Sequence, residues 1–289
     1  MDLFELVKSK RPNLNVKSIK TYSSVLNTIR KDLNIDKVKD FNNDKKILKY
    51  LEDMPVNKRK TRLSALLVLT DNENYKKQML EDINKFNANV KEQKKSDVEK
   101  ENWMTKEEIK KIYDKCKKKA NELYKKGDDL KISEFQTIQD FVLLSLFVLN
   151  IPRRSMDYTE MKISDIDPKK DNYIKGDKMI FNIYKTSKNK GTDVIEIPKK
   201  LKTILNKWIK INPTEYLLFD TKLQKLSSIK VNQRLNKIMN KPGFSVNQFR
   251  KQFLTDKYKD TMKEMKEMEQ DMKDMGSSMK QATTYVKMD

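Results

Sequence analysis

Residues 134–150 (EFQTIQDFVLLSLFVLN) are apolar on most faces of a helix, while the segments around them are heavily charged. A helix without a polar face has to be surrounded, so this stretch is expected to be the central buried helix of a domain. Its longest apolar run, residues 141–149, is interrupted by Ser145 and is too short to span a bilayer. Upstream, Ile19, Tyr22, Leu26, Ile29 and Leu33 recur at steps of three and four, which places one apolar stripe on a helix. A second helix carries Leu63, Leu66 and Leu67, and a third covers residues 75–90. Residues 87–102 (NANVKEQKKSDVEKEN) offer almost nothing to bury and read as a connection. The expected organisation is a helical domain over residues 1–95, a linker over 96–102 and a second domain over 103–289. Thr105 and Glu108 have the spacing of a capping box and should start a new helix.

Beyond the central helix the hydrophobic period shortens. MKISDI, MIFNIY and DVIEIP are brief segments rich in β-branched and aromatic residues, separated by polar or turn-forming stretches. A small antiparallel β-sheet is the natural reading. Helices resume near Lys199, with one short extended piece over residues 215–219. The fold class is therefore mainly α with a small antiparallel sheet, an α+β arrangement. Met262, Met265, Met268, Met272 and Met275 share one helix face and are expected to pack in a core.

The formal charge of +21 points to a polyanionic partner, of which nucleic acid is the usual one. Arginine is scarce in this lysine-rich chain, restricted to Arg11, Arg30, Arg59, Arg62, Arg153, Arg154, Arg234 and Arg250. Scarcity makes each one informative, because the forked guanidinium suits phosphate oxygens in a way lysine does not. Lys58, Arg59, Lys60 and Arg62 cluster at the start of a helix, either as a solvated face or as a contact to a DNA backbone. Cys116 stands alone, so no internal disulfide forms. Histidine is absent, which excludes His-based metal sites and any mechanism needing an imidazole base. The N-terminus lacks the apolar core of a signal peptide, and an intracellular, non-secreted, non-membrane protein is expected.

Four segments in order carry a chemical pattern: PRRSMDYTEMKISDID, YKTSKNKGTDVIEIP, SVNQFRKQF and MGSSMKQATTYVK. Together they resemble the tyrosine recombinase (integrase) family, in particular members from viruses and mobile elements. The family's first arginine, an acidic residue three positions on and Leu or Met seven positions on match Arg154, Asp157 and Met161. Its hairpin lysine matches Lys185, with Lys188 and Lys190 as alternatives. Its H-x-x-R box matches residues 247–250, its turn before the nucleophile matches residues 275–278, and its nucleophile matches Tyr285. The helical first domain would be the family's core-binding domain, closing around double-stranded DNA as a clamp.

The resemblance implies a site-specific recombinase that cuts and rejoins DNA through a 3′-phosphotyrosyl intermediate. Arg154 and Arg250 would clamp the nonbridging phosphate oxygens, Tyr285 would attack phosphorus, and Lys185 would protonate the leaving 5′-oxygen. Asn247 and Ser277 stand where the family usually has histidine, and both can still hydrogen-bond a phosphate. Lys188 would contact DNA. The covalent link conserves the energy of the broken bond, so no ATP, metal or other cofactor is implied. The family pairs sites in tetramers. Here the chain ends four residues after Tyr285, so a tetramer on two DNA sites is expected to be held together by something other than a C-terminal exchanged helix. A type IB topoisomerase-like enzyme uses the same residues without pairing sites. A catalytically degenerate DNA-binding protein is the further alternative, motivated by the missing histidines.

Overall fold

The computed structural model describes residues 1–127 and 129–287, so the last two positions of the expected second domain lie outside the described residues. The chain divides into two compact units, residues 1–95 and 96–289.

The first unit contains five α-helices among the described residues: α1 (Leu3–Lys10), α2 (Val16–Asp32), α3 (Asp44–Leu51), α4 (Val56–Thr70) and α5 (Glu73–Lys91). The stripe read in the sequence faces inward: Ile19, Leu26 and Ile29 of α2 are buried beside Leu63 and Leu66 of α4. Tyr75 fills the same core and donates its hydroxyl to the Phe41 carbonyl at 2.7 Å. One buried charge pair joins α4 to α5. Asp82 has a fully buried side chain and receives both Nε (2.7 Å) and Nη2 (2.6 Å) of Arg59. A third donor of Arg59 goes to the Glu52 carbonyl at 2.7 Å.

The second unit opens with α6 (Asp97–Glu101), α7 (Lys106–Tyr124), α8 (Ile132–Val148) and α9 (Ser155–Thr159). Residues 96–102, read above as a linker, form the capped turn α6. Its Ser96/Glu99 capping box closes both ways, and Asn102 is buried with its side-chain oxygen accepting from Gly243 N at 3.1 Å. The polar composition that suggested a tether is used in caps and side-chain hydrogen bonds. Thr105 and Glu108 cap α7 reciprocally at 3.1 and 2.7 Å. As its composition demands, α8 is the buried centre, packed against α7 and against the later helix over Lys199–Ile211.

Four strands follow: β1 (Met161–Lys162), β2 (Asn172–Lys175), β3 (Lys178–Phe181) and β4 (Asp193–Glu196), with the short helix α10 (Ser187–Lys190) between β3 and β4. They lie in sequence order in one sheet. The sheet is mixed rather than purely antiparallel, because β1 and β2 run parallel while the other pairs are antiparallel. Residues 163–171 carry the chain back over the sheet, so β2 restarts in the direction of β1. Strand β2 pairs with both β1 and β3 and packs Ile174 against the core, and its buried Asn172 anchors it further. The side-chain amide donates to the Asp157 and Ile183 carbonyls (2.9 and 2.8 Å) and its oxygen accepts from Ile183 N at 2.7 Å. The extended piece near residues 215–219 runs beside β1 through Ile163 N to Glu215 O and Leu217 N to Met161 O, each 2.8 Å.

The chain ends in α11 (Lys199–Ile211), α12 (Ser228–Met239), α13 (Val246–Asp274) and α14 (Met279–Tyr285). Trp208 stacks on Phe219 at 5.7 Å, and Gln139 of α8 holds both backbone groups of Phe219 (2.8 and 2.9 Å). Only the first turns of α13 are buried. From Asp256 onward its residues are exposed until Met272, which is buried as Ala282 of α14 is. The methionine face therefore departs from the core role expected of it: Met262, Met265, Met268 and Met275 are exposed. Periodicity made the face apolar, but among the described residues only its Met272 is covered. A Schellman turn ends the helix, with Gly276 at φ 68°, Gly276 N on Lys273 O (2.9 Å) and Ser277 N on Met272 O (2.7 Å). No helix among the described residues is long and apolar enough to cross a membrane.

The Arg59 hydrogen bonds hold the Asp82 carboxyl below the usual carboxylate range. A depressed carboxyl contributes stability above its unfolded pKa and loses it as pH falls through the folded value. Asp82→Ala should thus lower protection of the first unit in hydrogen exchange of the full chain by about 3 kcal/mol near neutral pH. The difference from the parent protein should shrink below about pH 4.

Candidate functional site

Where α8 runs into α9, Pro152 ends the buried helix and two adjacent arginines diverge. Arg153 turns inward. Its Nε donates to Asp157 at 2.8 Å, its Nη1 to Asp193 at 2.6 Å, and its guanidinium lies 4.0 Å from the Phe181 ring centre. It thereby ties the start of α9 to strands β3 and β4.

Arg154, the N-cap residue of α9, is half-buried, and its side chain makes no hydrogen bond or ion pair among the described residues. Arg250, in the first turns of α13, is in the same condition. Both line a cavity of about 400 Å³, together with Asp157, Tyr184, Thr186 and Lys190. Burial pushes the Asp157 carboxyl up, opposed by the positive charges of Arg153, Arg154 and Arg250. Its Oδ1 is buried without a hydrogen-bond partner, whereas Oδ2 is held by Arg153. With Arg153 already balanced by two aspartates, Arg154, Arg250 and the exposed Lys190 leave the cavity with unpaired positive charge. Paired guanidinium donors around a concave, partly desolvated space suit an anion with several oxygens.

The connection between β3 and β4 decides which lysine reaches this cavity. Tyr184 donates its hydroxyl to the Gly191 carbonyl at 2.8 Å, closing the loop around α10, and Gly191 leaves α10 at φ 71°. Within that loop Lys185 and Lys188 are exposed and do not line the cavity, while Lys190 does. The three lysines of YKTSKNK are alike in sequence, and only the turn of α10 separates them.

The other expected site residues lie apart from the cavity. Asn247 is exposed in the first turn of α13. Ser277 follows the Schellman glycine and its Oγ hydrogen-bonds Gln281 Oε1 at 2.5 Å. Tyr285 closes α14 with 58% of its surface exposed and is not among the cavity-lining residues. In the first unit Lys58 is exposed, Arg59 is engaged by Asp82, Lys60 lies 4.8 Å from the Phe86 ring centre, and Arg62 makes a 3.4 Å bond to the Lys58 carbonyl. A phosphate could reach Arg59 only by competing with a buried carboxylate.

Neighbouring residues in sequence should therefore respond oppositely to truncation. Arg153→Ala leaves Asp157 buried and unpaired and should cost about 3 kcal/mol in urea unfolding. Arg154→Ala breaks no bond of the folded chain and should stay within about 0.5 kcal/mol of the parent protein.

No family model and no curated protein matches this chain. Among solved structures the chain is similar to the crystal structure of XerA recombinase, with a TM-score of 0.37 and 11% identity over 88% of this chain and 82% of that one.

Proposed function

We propose that the chain is a site-specific DNA strand-transfer enzyme of the tyrosine recombinase type. The observation that carries this reading is the pairing of Arg154 with Arg250. They come from separate boxes of the sequence, meet on one cavity and are unpaired, whereas Arg59, Arg153 and Arg234 are each bonded to an aspartate.

In this reading the two arginines hold the nonbridging oxygens of a scissile phosphate as charge builds on them. The Tyr285 oxygen forms a bond to phosphorus, the bond from phosphorus to the 5′-oxygen breaks, and the 3′ side remains attached to the protein. The phenolic proton passes to water or a lysine. The leaving 5′-oxygen takes a proton from Lys185 or, by its position on the cavity, Lys190. Asn247 and Ser277 supply hydrogen bonds to phosphate at most, and religation runs the same steps backward. No metal or nucleotide enters the balance. Because Tyr285 lies off the cavity, strand transfer belongs to an assembled state on double-stranded DNA, with copies of the chain pairing two sites. Lys58, Lys60, Arg62 and Lys188 would add backbone contacts whose contribution weakens with salt.

Nicked duplexes from the DNA flanking the gene, incubated with the protein and then denatured, should retain covalently attached protein. Tyr285→Phe should abolish the adduct while leaving DNA binding intact. No adduct from the parent protein on flanking or random-sequence DNA, with binding preserved, would favour a catalytically degenerate DNA binder, the reading motivated by Asn247 and Ser277 standing where the family usually has histidine. Lys190→Ala and Lys185→Ala separate the two candidate acids: loss of the true one should slow cleavage about 100-fold or more. A 5′-phosphorothiolate nick, whose leaving sulfur needs no proton, should restore the rate.

A further inference from the structure

The root of α13 is held from more than one side. Phe249 faces the core, stacked on Phe147 at 5.3 Å and edge-on to Phe244 at 4.8 Å. Arg250 faces the cavity. At about 100° per residue, Gln252 falls on the side of the helix axis opposite Arg250. The Gln252 side chain is buried and donates to the Met104 carbonyl.

Met104 belongs to a run that bonds the same root repeatedly. Glu99 pairs with Lys251. Lys241 donates to the Glu101 and Trp103 carbonyls at 2.7 and 3.2 Å. The Asn102 side-chain oxygen accepts from Gly243 N at 3.1 Å, and its amide nitrogen is tied back to the Val98 carbonyl at 2.8 Å. The fit at Gly243 is close, because a methyl group there would overlap the buried side-chain amide of Asn102. Residues 99–104 thus grip residues 241–252, which are the turn into α13 and its first coils.

A flexible tether between domains needs none of these bonds. The grip also has a particular place along the chain. The first unit ends at residue 95, and Asn102 follows after the capped turn α6. A load carried along the chain from the first unit therefore meets this grip as it enters the second.

We propose that residues 99–104 form a clasp that aims Arg250 at the cavity, with Asn102 and Gln252 as its positioning residues. The clasp acts from behind the helix. Loosening it lets the root turn about the Phe249 stack and carries the Arg250 guanidinium off the oxygens it would hold. Arg154 is carried by α9 and has no bond to the clasp. This inference deepens the strand-transfer reading and rests on it for its kinetic consequence, whereas the placement of Arg250 is a property of the free protein.

Gly243→Ala opens the clasp without removing a charge or touching Arg250. In the nucleic-acid-free full chain, the Nε–Hε NMR signal of Arg250, identified by its loss in Arg250→Lys, should shift in Gly243→Ala. The corresponding signal of Arg154 should stay in place. Gln252→Met, which removes the donor to Met104 and keeps the side-chain length, should act in the same direction. On a nicked duplex with a 5′-phosphorothiolate leaving group, adduct formation at saturating DNA should slow roughly tenfold or more in Gly243→Ala. Duplex affinity should stay within about twofold of the parent protein, since the loss falls on the transition state. Arg250→Ala should slow the reaction further, and Gly243→Ala added to it should change nothing more, because both act through one group. An Arg250 signal unmoved in both variants, a parent-like rate at saturating DNA, or effects of Gly243→Ala and Arg250→Ala that multiply would each overturn the clasp. A parent protein that forms no adduct overturns the strand-transfer reading instead, and the Arg250 signal then decides the clasp alone.

Discussion

The Arg153 guanidinium is the interaction on which the arrangement of the second unit's cavity depends. It is shared between Asp157 at the start of α9 and Asp193 at the start of β4, and it stacks on Phe181 of β3. Three elements that are distant in sequence are thus fixed around one cation. Desolvating that charge is tolerable because two carboxylates and an aromatic face replace the lost water. Asn172 extends the same logic by bonding the Asp157 and Ile183 carbonyls, so the short strand β2 is tied to α9 and to the chain after β3 by one amide.

This frame leaves Arg154 and Arg250 with donors to spare. Arg153 holds Asp157 and Asp193, and with Arg154, Arg250 and Lys190 also on its lining the cavity keeps a positive surplus. Arginines with donors still unclaimed hold their binding capacity in reserve for a ligand. The positive surplus of the cavity is a consequence of how the structural charges are balanced among themselves.

Much of this was legible in the sequence. The apolar run at residues 134–150 requires a central helix, and the Thr105/Glu108 spacing marks the start of α7. Three features were not legible, each for a physical reason. Lys190 is indistinguishable from Lys185 until the Tyr184–Gly191 bond sets the path of α10. Strand β2 is only four residues long, too short to show a hydrophobic period, and is anchored by side-chain hydrogen bonds of Asn172. The methionine stripe has the period of a buried face, yet a period shows only that a face is apolar and says nothing of whether the same chain covers it. Among the described arginines, scarcity marked importance but not its kind: Arg59, Arg153 and Arg234 hold the fold together.

The length of α13 has a mechanical consequence. About 33 Å of helix extends from Gln252, where burial ends, to Asp274 beside the turn that carries α14. A lever of that length converts a tilt of about 5° at its root into a displacement of about 3 Å at its tip, whereas in-line attack tolerates errors nearer 1 Å. In the proposed strand-transfer reading, the aim of the Tyr285 hydroxyl is therefore set by whatever seats the far end of this lever and not by the packing at its root alone.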